Sequence, residues 1–342
     1  MTKKTPDAIN RKRPTLKSIA ERTGLAVTTV SKVLRGQGNF SNDTIKRIQQ
    51  VAEEIGYRPD RSGVGLRTGR SYVISVAFNQ SEDISDFERQ IVSGVASALH
   101  ETPYQLSLNV TFPGADEVAA YRNIAEFRRA DGIIFADTFP DDARVKLLQN
   151  LDFPFVTHGR TKLSEPHAFY DFDNEKFAYL SALRLASNGR QRIAIASEDV
   201  GLTFYEYAMD GLRRAAQETG VSVSVLRPAP GVKTYAAAIH EGVRAAVAQN
   251  ELPDGIISSS DIGTLAILDA LAIEGIKVGT DVDVVSRKTS SILDFCQPRV
   301  DTISEDLAEA GEVMARLLVR RIEGEAPANL QIIGEPFPDW EQ

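Results

Sequence analysis

Residues 15–34 read TLKSIAERTGLAVTTVSKVL, and the reading of this stretch decides the organisation of the whole chain. Its apolar residues fall on two short helical faces. Leu16, Ile19 and Ala20 form the first, and Val27, Val30, Val33 and Leu34 form the second. Thr23-Gly24-Leu25 separates them, and Gly24 permits the left-handed backbone that a tight turn between two helices needs. Ala20 is small enough for the second helix to cross close to the first. Ser41 then caps a third helix carrying Ile45, Ile48, Val51, Ala52 and Ile55, which stops at Gly56 and Arg58-Pro59. The pattern is a helix-turn-helix. Val30 and Val33 hold the second helix on the core, which leaves Val27, Thr28, Ser31 and Lys32 facing outward. A helix of this size fits the major groove, where its first residues reach base edges and hydroxyls reach phosphates.

The surrounding charge agrees with that reading. Residues 1–70 hold six Lys and nine Arg against six acids, a net +9, whereas the other 272 residues hold 24 basic and 41 acidic side chains, a net −17. A basic end on an acidic body points to a polyanionic partner, although charge alone fits a solvated tail equally well. Residues 1–13 are polar and basic and read as a flexible tail. Residues 60–70, DRSGVGLRTGR, are Gly-rich and basic and read as a linker whose one large apolar residue is Leu66.

From residue 71 the pattern changes to apolar strands alternating with helices. Strands are expected over 72–78, 105–110, 132–136, 153–157, 192–196, 221–226, 255–258 and 281–285. Helices are expected over 88–99, 116–129, 175–187, 205–219, 235–249, 262–274 and 305–323. This alternation predicts parallel sheets with helices on both faces, in one sheet or two lobes. The expected organisation is a basic tail (1–13), a helix-turn-helix DNA-binding domain (14–59), a hinge linker (60–70) and a two-lobed ligand-binding and dimerisation domain (71–342).

Composition excludes several classes. At 42% apolar and 25% charged, the chain is an ordinary globular one. A lone cysteine, Cys296, rules out an internal disulfide framework or a thiol metal cluster, and reads as a small packed residue. No apolar run reaches ~18 residues, so no membrane span is expected. The N-terminal sixteen residues lack the apolar core of a secretory signal, so the protein is expected in the cytoplasm. The four His show no HExxH spacing and no GxSxG elbow occurs, so no enzyme and no cofactor is expected.

The stretches TLKSIAERTGLAVTTVSKVL, FSNDTIKRIQQVAEEIGYRPD and LRTGRSYVISVAF resemble the lactose-repressor/galactose-repressor (LacI/GalR) family of bacterial transcription regulators. So do ADGIIFAD, PFVTHGRT, DFDNEKFA, PDGIISSSDIGTLAILDAL and DTISEDLAEAG further on. The resemblance implies a repressor that binds a palindromic stretch of double-stranded operator DNA as a homodimer, controlled by a small-molecule effector, a sugar or sugar derivative. It places Val27, Thr28 and Lys32 at base-reading positions, with Leu16 in the same interface. Lys32 stands where the family usually has Arg, which alone makes the bidentate guanine contact. Thr15, Thr29 and Ser31 match phosphate-contacting positions. Ala26 replaces a Ser, removing one helix-end hydrogen bond. Leu66 matches a hinge residue that wedges into the minor groove; otherwise it caps the core of the next domain. Gly63 and Gly65 stand where Ala and Ser are common, which disfavours a hinge helix in the absence of DNA.

For the body, the resemblance implies a two-lobed fold like periplasmic sugar-binding proteins, with crossovers near Asp173, Val300 and Glu325. Ligands in such sheets sit at the carboxyl ends of the strands. The candidate effector residues are therefore Phe87, His158, Arg160, Asp173, Asp261, Arg287 and Lys288. Each has a structural alternative: Asp173 and Asp261 as helix caps, His158 as a packed histidine, Arg160 as an ion-pair partner. Two departures bear on the ligand. Ala208 stands where a cleft Arg is common, and Ser286-Arg287-Lys288-Thr289 replaces a Gly-aromatic-Asp-Asp pattern. The expected effector is a differently gripped sugar or an anionic metabolite. A transport receptor for solutes is the competing class, disfavoured by the basic helical N-terminus.

Overall fold

The computed structural model describes residues 14–34, 36–57, 69–79, 86–112, 114–197 and 201–341. The chain divides into two compact units, residues 1–71 and 72–342. In the first, α1 (Leu16–Thr23), α2 (Val27–Leu34) and α3 (Asn42–Glu54) enclose Ile19, Ala20, Val30, Val33, Ile48 and Ala52. Gly24 ends α1 at φ +68°, as the turn demands. Ser41 caps α3 by accepting the Thr44 N–H at 3.3 Å.

The second unit is α/β, as the alternation predicted. Its elements are β1 (Val73–Asn79), α4 (Asp86–Leu99), β2 (Gln105–Thr111), α5 (Glu117–Glu126), β3 (Gly132–Phe135), α6 (Ala143–Asn150), β4 (Phe155–His158), β5 (Phe169–Phe172) and α7 (Asn174–Ser187). Then come β6 (Arg192–Ala196), α8 (Thr203–Thr219), β7 (Ser222–Leu226), α9 (Tyr235–Ala248), β8 (Gly255–Ser258), α10 (Asp261–Ile273), β9 (Asp283–Lys288), β10 (Asp301–Ser304), α11 (Leu307–Ile322), β11 (Gln331–Gly334) and β12 (Phe337–Pro338). Among the described residues they make two six-stranded sheets. The N lobe runs β11-β5-β4-β3-β1-β2, and the C lobe runs β12-β10-β9-β8-β6-β7. Among the described residues all pairings in the N lobe are parallel, and in the C lobe only β12 is antiparallel, against β10.

Each sheet is covered on both faces, which explains the continuous apolar runs. In the N lobe, Ile74, Val76, Ile134 and Val156 join one core with α4 and α11 residues, while Ala77, Ile133, Phe135 and Phe155 join another with α5 and α6 residues. The alternation follows from the strand period of two. At the α4–α11 crossing, a Cβ on Gly94 would lie 1.9 Å from the Ala308 carbonyl oxygen, so only glycine fits there.

Four strands and one helix escaped the sequence reading: β5, β10, β11, β12 and α6. Three of these strands have four residues and β12 has two, too short for a period to declare itself. The strand expected over 281–285 begins at Asp283 instead, because 277–281 closes a turn in which the Asp281 N–H donates to the Lys277 carbonyl at 2.8 Å. The first crossover follows β5 at Asp173 as expected. The second lies between β10 and α11 at 305–306, not at Val300, and the third between β11 and β12 at 335–336, not at Glu325.

Candidate functional site

Two surfaces qualify. On the small unit, Thr15 caps α1 in a reciprocal box: the Ser18 N–H donates to Thr15 Oγ1 at 3.3 Å, and the Thr15 N–H donates to Ser18 Oγ at 3.1 Å. The Leu25 N–H donates to the Ala20 carbonyl at 3.2 Å, which sets the turn. α2 buries Val30 and Val33 and leaves Val27 43% exposed, with Thr28 and Lys32 also exposed and Thr29 and Ser31 half-buried. Leu16 packs half-buried against the core. Leu66 lies outside the described residues.

The second surface is a cavity of about 240 Å³ between the lobes. The N lobe contributes Phe87 and Glu88 at the start of α4, Asp137 and Thr138 after β3, His158, Gly159 and Arg160 at the end of β4, and Asp171 on β5. Asn174, Thr203, Phe204, Ser259 and Arg287 come from α7, α8, the end of β8 and β9. Nearly all stand at the carboxyl ends of strands or at helix N-termini, the ligand position of open α/β sheets.

The polar groups of the cavity are heavily paired. Arg160 Nε donates to Asp171 Oδ2 at 2.6 Å, and its guanidinium lies 4.0 Å from the Tyr207 ring centroid. Arg287 donates to Asn174 Oδ1 and stacks 4.6 Å over Phe172, with Nη1 3.3 Å from Glu305 Oε2. His158 Nε2 lies 3.3 Å from Glu305 Oε1, and its ring meets Phe87 edge-on at 5.1 Å. Glu305 is 5% exposed. Both its oxygens have basic side chains at ion-pair distance, Arg287 and His158, but no aligned hydrogen bond among the described residues. Burial pushes its carboxyl up, yet the Arg287 charge and His158 together hold it below the usual range. Burial raises Asp171, and Arg160 offsets this only in part. Burial likewise raises Asp137, which keeps contact with solvent through the cleft although protein surrounds it.

Of the expected effector residues, Phe87, His158, Arg160 and Arg287 line the cavity and Asp173, Asp261 and Lys288 do not. Asp173 caps α7, accepting the Lys176 N–H at 3.0 Å. Asp261 is turned to the next loop, accepting from Thr289 N–H and Oγ1 at 3.2 Å and from Ser290 Oγ at 2.7 Å; Ser260 is the cap of α10. Lys288 pairs with Asp294 at 2.7 Å and Asp339 at 3.5 Å, so it adds no cation to the cleft. Alternation along β9 explains this: Arg287 and Lys288 point to opposite faces. Sequence reasoning missed Glu88, Asp137, Asp171, Asn174, Thr203, Phe204, Ser259 and Glu305. Asp137 directly follows an expected strand and was legible by the strand-end rule. Asp171 sits on the unread β5, and Glu305 was absorbed into the expected helix over 305–323.

Comparison with known proteins bears on both surfaces. Residues 15–60 match the family model described as bacterial regulatory proteins, lacI family, and residues 182–336 match the periplasmic binding protein-like domain. Residues 15–60 are thus similar to the regulatory proteins of the lacI family. That family is made up of DNA-binding transcription regulators, not enzymes. The HTH-type transcriptional regulator AglR of Rhizobium meliloti (strain 1021) is 29% identical to this chain over 316 residues, 89% of this chain and 86% of that one. CelR of Thermobifida fusca is 28% identical over 331 residues, covering 95% and 96%. Among solved structures, a transcriptional regulator CelR–cellobiose complex superimposes with TM-score 0.67 at 25% identity, over 95% of this chain and 98% of that one. The lac repressor dimer bound to operator and the anti-inducer ONPF superimposes with TM-score 0.84 over 96% and 98%; at 19% identity that likeness speaks for the fold alone. Among the described residues, no helix is long and apolar enough to cross a membrane, and no cluster of metal-ligating side chains occurs.

Proposed function

We propose that this protein is a cytoplasmic repressor of the lacI family that binds a palindromic operator as a homodimer and is controlled by an uncharged saccharide in the cleft. The exposed outer face of α2 carries the DNA half of the reading. Val27, Thr28 and Lys32 stand free to meet base edges, while Thr15, Leu16, Thr29 and Ser31 flank them at the phosphate backbone. Leu66 enters this reading as a minor-groove wedge on the family resemblance alone. The edge strand β2 and the residue after it support a dimer: Leu108, Val110 and Phe112 stand at alternate positions and are 54%, 50% and 62% exposed. An apolar stripe at a sheet edge needs covering, and a second copy of the chain supplies a matching stripe.

For the effector, the deciding observation is that both cleft cations are already neutralised, Arg160 by Asp171 and Arg287 by Glu305. Glu88 and Asp137 place further carboxyl groups on the wall. Among the described residues an anionic metabolite would meet no unpaired cation there, so the anionic alternative loses its support. Phe87 and Phe204 offer apolar faces of the kind a sugar ring stacks on, and the similarity to a regulator solved with cellobiose points the same way.

Footprinting over the palindromes upstream of its own coding sequence tests the DNA half. Protection is expected at low ionic strength, with Lys32→Ala losing ~1–3 kcal/mol at one base pair of each half-site. No protection, or an unchanged base preference in Lys32→Ala, overturns it. Calorimetry tests the effector: uncharged saccharides should give binding heat and sugar phosphates none. The reverse result overturns the uncharged-ligand reading.

A further inference from the structure

The loop after β3 holds a backbone that its own sequence does not favour. Asp137 has φ +56°, a left-handed conformation uncommon for a side chain other than glycine. Its carbonyl oxygen accepts a hydrogen bond from Arg144 Nη2 at 2.7 Å. Arg144 is 3% exposed, lies behind the cleft wall and does not line the cavity. Its guanidinium forks onto Asp142 through Nε at 3.1 Å and Nη2 at 2.7 Å. Nη1 donates to Glu117 at 2.7 Å, and the Phe135 ring lies 4.8 Å away. Asp142 is the cap of α6 and also accepts the Phe139 N–H at 3.1 Å. A single planar cation thus ties α5, α6 and the cleft loop together.

The residue after Asp137 faces the other lobe. The Thr138 carbonyl accepts both the N–H and the hydroxyl of Thr203, each at 2.9 Å. Thr203 opens α8 in the C lobe, and the residue at its cap position, Leu202, supplies no side-chain acceptor. A carbonyl of the N lobe therefore does the work of a helix cap for the C lobe, at the partially positive end of α8. The Thr138 hydroxyl in turn donates to the Arg160 carbonyl at 3.0 Å, on the cleft wall.

We propose that Arg144 is a positioning residue for the effector site: by holding Asp137 in its left-handed turn, it aims the Thr138 carbonyl at the N-terminus of α8 and so sets how firmly the lobes close over a ligand. Lysine cannot replace it. A single ammonium lacks the planar fork that serves Asp142, Glu117 and the Asp137 carbonyl together. The consequence for affinity rests on the cleft being the effector site; the consequence for lobe contact does not.

Hydrogen–deuterium exchange on the ligand-free, full-length protein separates these two. In Arg144→Lys, the amide at Thr203 should exchange about tenfold faster, while amides of β6 and α9 keep their wild-type rates, as expected for a local opening. Asp142→Asn keeps the volume of the cage but puts an amide nitrogen where an oxygen accepts from Phe139 N–H and Arg144 Nη2, so it should speed exchange at the same amide. Wild-type exchange at Thr203 in both variants overturns the proposal. So does a rise spread evenly over both lobes, which is the mark of general destabilisation. With cellobiose as the probe, calorimetry should show about tenfold weaker binding in Arg144→Lys, the expected cost of a looser closed state. If the wild type binds no uncharged saccharide at all, the saccharide reading fails, and the Thr203 exchange rates still decide the role of Arg144.

Discussion

The two lobes share a strand order and differ in how they hold the loops that face each other. In the N lobe, the loop after β3 is fixed from behind by a buried cation, Arg144, caged by Asp142 and Glu117. In the C lobe, the matching loop after β8 is fixed by a buried carboxylate, Asp261, which collects donors from Thr289 and Ser290. The fifth strands differ as well. Burial raises Asp171 on β5, whereas Glu305, just past β10, is lowered because Arg287 and His158 outweigh its burial. One topology thus tolerates opposite electrostatic solutions, and the chemistry of the cleft follows from local partners instead of from the fold.

The largest expected effect breaks the loop comparison. Arg144→Met leaves Asp142 buried without its cation and should cost ~3–5 kcal/mol, the range for one partner removed from a buried ion pair. Asp261→Ala, which strips hydrogen bonds from neutral donors, should cost less, at ~1.5–3 kcal/mol. Denaturant midpoints of the two variants measure both, and the reverse order would show that the N-lobe cage is not the stronger fixture. The strand comparison is sharpened by pH. Because the folded-state value of Glu305 lies below its unfolded value, its ionised form stabilises the fold above the ordinary glutamate value of about 4.3. That contribution disappears as pH falls through the lowered value. The stability gap between wild type and Glu305→Gln should therefore be widest near neutrality and shrink below about pH 4. A gap that widens on acidification would contradict the assigned direction. The smallest effect concerns the exposed pair that Lys162 of the N lobe makes with Glu206 of α8. Lys162→Ala should shift stability by ~0–1 kcal/mol, and the shift should vanish in high salt. A salt-independent loss would mean that Lys162 acts through its packing near Tyr207 instead.

The sequence was most legible where structure is local. The helix-turn-helix announced itself because Gly24, Ser41 and the apolar spacing of Ile19, Val30, Val33 and Ile48 act within a few residues of one another. The α/β body was legible for the same reason, since runs such as Ile74–Ala77 and Ile193–Ala196 must be strands covered on both faces. The short strands β5, β10, β11 and β12 were not, because their placement is fixed by neighbours such as the Leu330 carbonyl, which accepts the Phe169 N–H at 3.0 Å from far along the chain.

The cavity between the lobes divides along the same line. Phe87, His158, Arg160 and Arg287 follow from the rule that ligands meet strand ends, and they line the cavity. What the residues there can do was settled only by partners remote in sequence. Arg287 is neutralised by Glu305, Lys288 is drawn away by Asp339, and Asp137 is bent by Arg144. By itself, the sequence determined the helical headpiece and the alternation of strands with helices, because helix and strand periods are written within ten or so residues. The tertiary structure alone decided the charge of the cleft and the hold of one lobe on the other, because a charge acts through whatever is brought within a few ångströms of it, however distant along the chain.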